Sequence, residues 1–154
     1  MGEIMNRFRG EYTYTVDVKG RFNIPAKFRK ALSPEANEGF VVSRAPDGCL
    51  RAYPLDEWDR AEDNLLSRPE NPQTVKLKRL IYSTLSESKL DGQGRITLSP
   101  TQMGIAGISK NVLLIGHRGY IEIWDPDKFA AYRGSEDDFN EAFYQSVEAG
   151  TKNQ

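Results

Sequence analysis

The feature that most constrains this chain is that it repeats itself. A shift of 74 residues lays Val16-Asp17-Val18-Lys19-Gly20-Arg21-Phe22-Asn23-Ile24 on Leu90-Asp91-Gly92-Gln93-Gly94-Arg95-Ile96-Thr97-Leu98, with the apolar positions, Asp, Gly and Arg coinciding. A second block, Gly48 to Tyr53, falls on Gly119 to Trp124 at a shift of 71, and the three-residue difference is absorbed in a connecting loop. A repeat of this kind predicts two copies of one small unit. At 154 residues the chain has room for one ordinary domain or two small ones sharing a core. The simplest packing sets the copies about a pseudo-two-fold axis with equivalent apolar faces meeting.

Local signals recur within each copy. Tyr12 to Val16 alternates polar and apolar residues, and alternation resumes over Phe22 to Ile24, so the Asp-x-x-Gly-Arg segment reads as a turn between two strands. Gly20 and Gly94 suit a position needing positive φ, and the aspartates Asp17 and Asp91 can accept backbone N–H groups of the turn. Pro25 and Ser99-Pro100 suit the first turn of a short helix, which in the first copy has Phe28 and Leu32 as its apolar face. A hairpin follows in each copy: Phe40 to Ser43 with Cys49 to Tyr53, and Val112 to Ile115 with Tyr120 to Trp124. Helices are predicted after both hairpins, with Asp125-Pro126 as a cap and first-turn pair. A further helix over Pro72 to Ser83 presents Leu77, Leu80, Ile81 and Leu85 on one side. Ser135 and Asp138 resemble a capping box ahead of Phe139, Ala142, Phe143 and Val147, and Gly150 to Gln154 read as disordered. The expected architecture is α+β. The first β unit covers residues 8–58, a helical linker 59–82, the second β unit 83–127, and a C-terminal helical region 128–149.

Composition excludes several functions. With one cysteine (Cys49) and one histidine (His117), a Cys/His zinc site within the chain is ruled out, and Cys49 reads as strand packing. Nothing resembles a catalytic triad, a phosphate-binding loop or a dinucleotide turn, so neither an enzyme nor a cofactor or small-molecule substrate is expected. The sequence has no apolar run long enough to span a membrane and no signal-peptide pattern, which predicts a cytoplasmic protein; Met5 is an alternative start to Met1. Trp58 and Trp124 read as core anchors.

Net charge is −1, but its distribution is uneven. Arg7, Arg9, Lys19, Arg21, Lys27, Arg29 and Lys30 face only Glu11 and Asp17 in the same segment, whereas residues 83–127 carry four cations (Lys89, Arg95, Lys110, Arg118) and five anions (Glu87, Asp91, Glu122, Asp125, Asp127). Lys19, Arg21 and Arg95 can project from strand ends toward phosphates or base edges. Equally, Asp17 with Arg21 and Asp91 with Arg95 can simply pin their loops, and the two roles are compatible. On the charge count, the first copy is expected to carry more phosphate affinity. Lys76, Lys78 and Arg79 near Arg68 read as a solvated helix face.

Arg7-Phe8-Arg9-Gly10-Glu11-Tyr12, Asp17-x-Lys19-Gly20-Arg21-Phe22-x-Ile24-Pro25-x-x-Phe28-Arg29, Tyr53-Pro54-Leu55-x-Glu57-Trp58, Asp91-Gly92-Gln93-Gly94-Arg95-Ile96 and Glu122-Ile123-Trp124 together resemble the MraZ family of bacterial transcriptional regulators. The resemblance runs from about Phe8 to Phe143 in the right order and spacing. It implies two tandem SpoVT/AbrB-like domains, similar to AbrB and MazE, with swapped hairpins interleaving in pseudo-two-fold fashion. It further implies a ring-like homo-oligomer, associated with the nucleoid, that binds promoter repeats in double-stranded DNA and represses its own division and cell-wall operon. Carried over residue by residue, DNA contact falls to Lys19, Arg21 and Arg95, with Arg9 added, and turn-fixing to Asp17, Gly20, Asp91 and Gly94. A ring-forming protein scaffold without DNA binding is the competing reading. An antitoxin-like partner is a third.

Overall fold

The computed structural model describes residues 8–152, so Arg7, Met5 and the last two residues lie outside the described part. Among the described residues there are eight strands and six α-helices, and no helix is long and apolar enough to cross a membrane. The first copy supplies β1 (Glu11–Thr15), β2 (Arg21–Asn23), α1 (Ala26–Lys30), β3 (Gly39–Arg44), β4 (Leu50–Pro54) and α2 (Leu55–Leu66). After α3 (Pro72–Tyr82), the second supplies β5 (Ser86–Lys89), β6 (Arg95–Thr97), α4 (Pro100–Ala106), β7 (Asn111–His117), β8 (Tyr120–Trp124) and α5 (Pro126–Arg133), followed by α6 (Glu136–Lys152).

The strands form a six-stranded sheet in the order β1-β7-β8-β4-β3-β5 and a two-stranded ribbon, β2-β6. Exchanging equivalent strands of the two copies reverses the sheet order and leaves it unchanged, which is the signature of a pseudo-two-fold. All pairings are antiparallel, and only the β3-β4 and β7-β8 hairpins stay within a copy. Each copy's first strand pairs with the third strand of the other, Tyr12 opposite Leu114 and Phe40 opposite Ser88. The two β4-like strands meet at the centre, Arg51 opposite Glu122.

Alternation decides which face is buried. Phe40 and Val42, Leu50 and Ala52, Val112 and Leu114, and Ile121 and Ile123 all point to one side, where Phe22, Ile24, Ile96 and Leu98 from the ribbon close over them. Phe8 and Phe28 complete this core, with edge-to-face rings 5.1 Å apart. On the opposite face of the sheet, Cys49 packs with Leu113 and Trp124. Burial pushes its thiol up to about 11, helped by the charge of Glu122, so Cys49 is a protonated packing residue. Trp58 and Trp124 are buried, and His117 is exposed at the hairpin end, stacked on Tyr120.

Helices α3, α4 and α5 start at side-chain caps. Asn71 and Thr74 form a reciprocal capping box at α3, as Ser99 and Gln102 do at α4, and Asp125 accepts the Lys128 N–H at α5. Two expectations change. Leu77 and Ile81, four residues apart, are half-buried, but Leu80 lies at the edge of that stripe and is exposed. The C-terminal helix continues through Gly150 to Lys152 instead of ending before Gly150, because no proline or cap interrupts its hydrogen-bond ladder.

Gln102 joins the first copy through one polar bond and its own copy through the rest. It occupies the position of Phe28 in the first copy and, like Phe28, is fully buried. Its amide nitrogen donates to the Val42 carbonyl (3.3 Å), the Thr84 carbonyl (3.0 Å) and the Ser86 hydroxyl (2.9 Å), while its oxygen accepts the Ser99 N–H (3.0 Å). Gln102→Met keeps the volume but strands these partners, so it should cost about 1–3 kcal/mol, measured by urea unfolding. A cost near zero would show that these bonds do not stabilise the fold.

Candidate nucleic-acid interface

The two Asp-x-x-Gly-Arg turns are built alike, bond for bond. In the first, Asp17 Oδ1 accepts the N–H of Lys19 and of Arg21 (both 2.9 Å), and its Oδ2 accepts Arg21 Nε at 2.7 Å. In the second, Asp91 Oδ1 accepts the N–H of Gln93 and of Arg95 (both 2.9 Å), and Oδ2 accepts Arg95 Nε at 2.9 Å. Backbone bonds from Gly20 to Asp17 and from Gly94 to Asp91, each 3.0 Å, close the loops. The glycines sit at φ +82° and +74°. At Gly20 a Cβ would run into the Leu98 carbonyl oxygen, so this glycine answers both to conformation and to close approach.

That close approach reflects how the ribbon joins the turns. Gly20 O accepts the Leu98 N–H and Gly94 O accepts the Ile24 N–H, both at 2.9 Å, so each turn is bonded to the end of the other copy's strand. Phe22 and Ile96 are opposite one another and point into the core. Arg21, Asn23, Arg95 and Thr97 therefore share the outer face of the ribbon. Arg21 and Arg95 are diagonal neighbours there, their Cα atoms about 7–8 Å apart by strand geometry. Asp17 Oδ2 also lies 3.7 Å from Arg95 Nη1, so a single carboxylate touches both guanidinium groups.

The structure thus brings Lys19, Arg21, Arg95, Asp17, Asp91, Gly20 and Gly94 into one surface. Lys19 is exposed, while the Arg21 and Arg95 side chains are 35% and 22% exposed, so Arg95 is the more enclosed. Arg9 is not part of this group. It lies beyond the opposite end of β1, where Phe8 and Arg118 exchange backbone bonds, about 20 Å away at the rise of an extended strand. Sequence reasoning also missed the neighbours that the other copy brings to each turn. The Arg29 guanidinium lies against Gly94, and Met103, its equivalent at the shift of 74, lies against Gly20. Lys78 is half-buried and pairs with Glu70 at 3.4 Å, while Lys76, Arg79 and Arg68 are exposed. Among the described residues no cluster of three or more His, Cys, Asp or Glu can hold a metal.

Chemically, this surface is a pair of arginines whose Nε is committed to a local carboxylate while the guanidinium edge still carries donors for an anion. Both aspartates are held below the usual carboxylate range, chiefly by the N–H of Arg21 on Asp17 and of Arg95 on Asp91, against an opposing desolvation effect. A depressed folded-state pKa contributes stability that is fully present above the unfolded value, about 3.9, and is lost as pH falls through the folded value. The stability gap between the unaltered chain and an Asp17→Asn/Asp91→Asn variant should therefore be flat from about pH 5 to 8 and shrink below about pH 4. A gap independent of pH down to about pH 2 would contradict ionised turns.

Comparison with known proteins adds an independent line. The family model described as "MraZ protein, putative antitoxin-like" matches the chain twice, over residues 7–80 and 81–148. A protein of Limosilactobacillus fermentum named "Transcriptional regulator MraZ" is 41% identical over 127 residues, covering 82% of this chain and 86% of its own length. Proteins of the same name from Thioalkalivibrio sulfidiphilus (39% over 127 residues; 82% and 85% covered) and Acetivibrio thermocellus (38% over 130 residues; 84% and 88%) match over a similar span. With each family match containing one of the paired turns, the chain belongs to the MraZ family.

Proposed function

We propose that this chain is a sequence-specific, DNA-binding transcriptional regulator that represses its own division and cell-wall operon. The observation that carries the reading is the outer face of the β2-β6 ribbon, where Arg21 and Arg95 stand side by side, each oriented by its own aspartate. A guanidinium fixed before binding loses less rotational freedom on meeting a phosphate or a guanine edge. The relatives' printed name, transcriptional regulator, supports the same role.

In this reading the two copies are AbrB- and MazE-like swapped-hairpin units, with domains over residues 8–58 and 83–127, a helical linker over 59–82 and a C-terminal helical region over 128–149. Lys19, Arg21 and Arg95 contact double-stranded DNA, Arg9 is a peripheral contact, and Asp17, Gly20, Asp91 and Gly94 hold the turns. The protein works in the cytoplasm on the nucleoid. Several chains in a ring present repeated turns to repeated promoter boxes, so modest contacts add through effective concentration, which offsets a net charge of −1. Exposed Phe139, Phe143, Tyr144 and Val147 on α6 supply an apolar surface suited to subunit contact. The same helix is what favours a protein scaffold without DNA as the second reading.

A gel shift with the chain's own upstream DNA separates the two. The unaltered chain should shift it at low salt, and Arg21→Ala and Arg95→Ala should each weaken binding on the order of tenfold, with the larger loss at Arg21→Ala. Each phosphate contact removed should flatten the slope of log affinity against log salt by about 0.9. No shift at low salt would leave the scaffold reading.

A further inference from the structure

We infer that Arg29 is a DNA-backbone contact belonging to the second turn, although it lies in the first copy. This rests on the DNA-binding reading above and concerns a residue outside the Asp-x-x-Gly-Arg signature. Helix α1 (Ala26–Lys30) buries Phe28 and leaves Lys27, Arg29 and Lys30 exposed, whereas the equivalent helix α4 (Pro100–Ala106) has no charged residue. Because the copies interleave, α1 is delivered to the turn of the second copy and α4 to that of the first. A Cβ on Gly94 would stand 2.9 Å from Arg29 Cζ and Nε and 3.0 Å from Nη1, and a Cβ on Gly20 would meet the Met103 sulfur at 3.5 Å.

Arg29 is held in place there. Its Nε donates to the Ile24 carbonyl at 3.1 Å, and Ile24 in turn donates its N–H to Gly94 O at 2.9 Å. One end of the guanidinium is therefore fixed to the ribbon, and the two terminal nitrogens make no hydrogen bond or ion pair to the described residues. This is the arrangement of Arg21 and Arg95, whose Nε is likewise committed, except that the anchor is a carbonyl and the positive charge is not offset by a paired carboxylate. The second turn lacks the lysine of the first, having Gln93 in place of Lys19, and Arg29 restores a second cation one residue from Arg95. The interleaving also brings the Lys110 backbone beside Val16 and that of Glu38 beside Leu90, so charge counted copy by copy is not the charge at either turn. A phosphate is the fitting ligand for an exposed guanidinium fork anchored through its Nε and laid over Gly94.

The test is a titration of the upstream DNA at several salt concentrations with the unaltered chain, Arg29→Gln and Arg29→Lys. Arg29→Gln should lose about tenfold in affinity at low salt and lower the salt slope by about 0.9, while Arg29→Lys keeps the slope. In double variants, Arg29→Gln should couple to Arg95→Ala and add independently to Arg21→Ala. Should Arg29→Gln lose its fold by thermal unfolding, Arg29→Met, which keeps the stem and removes the charge, supplies the same coupling comparison in the Arg95→Ala and Arg21→Ala backgrounds. An unchanged slope and affinity in Arg29→Gln, or coupling to Arg21 in place of Arg95, overturns the assignment. Absence of DNA binding by the unaltered chain would instead defeat the reading on which it rests.

Discussion

The pairing of β2 with β6 is the interaction on which the rest depends. Each strand is only three residues long, too short to persist alone, and each is extended at both ends by a bond between a turn glycine and the other copy. This reciprocal arrangement commits both copies at once. Phe22, Ile24, Ile96 and Leu98 can close over the main sheet only when the ribbon is formed, and the ribbon forms only when the turns of both copies are in place. The same pairing sets the arginines on one outward face, so core formation and the basic surface are two sides of one three-residue ladder.

The aspartates then act locally on what the ribbon has placed. Each carboxylate satisfies two backbone donors of its turn and one guanidinium nitrogen, which leaves an arginine oriented with donors to spare. Asp17 also touches Arg95, so the two turns influence one another electrostatically. Such exposed ion pairs contribute little to stability in water. Their consequence is orientation, which matters where a rigid fork must meet an anion.

Much of this was legible in the residues. The 74-residue shift revealed the duplication, and alternation with glycine at the turns located the hairpins, because burial on one face of a strand writes a period of two into the chain. The aspartate-arginine partnership was legible as well, since i and i+4 across a tight turn leave few other partners. Arg9 and Arg29 show where sequence stopped. The family resemblance sets Arg9 beside the turn cations as a DNA contact, yet β1 carries it to the far end of the strand from the turn. Arg29 stood in a basic run assigned to the first copy, and nothing local shows that its helix lies against the other copy's glycine.

What the sequence determined by itself was therefore the unit: its strands, its caps, the positive-φ glycines and the carboxylate that holds each arginine. These follow from interactions within a few residues. What only the tertiary structure decided was which unit each element serves, because pairing between the copies, as in β2-β6 and β3-β5, joins residues 44 to 76 positions apart and leaves no local trace. The charge asymmetry read along the chain is thus redistributed in space, with a basic helix of one copy set beside the turn of the other.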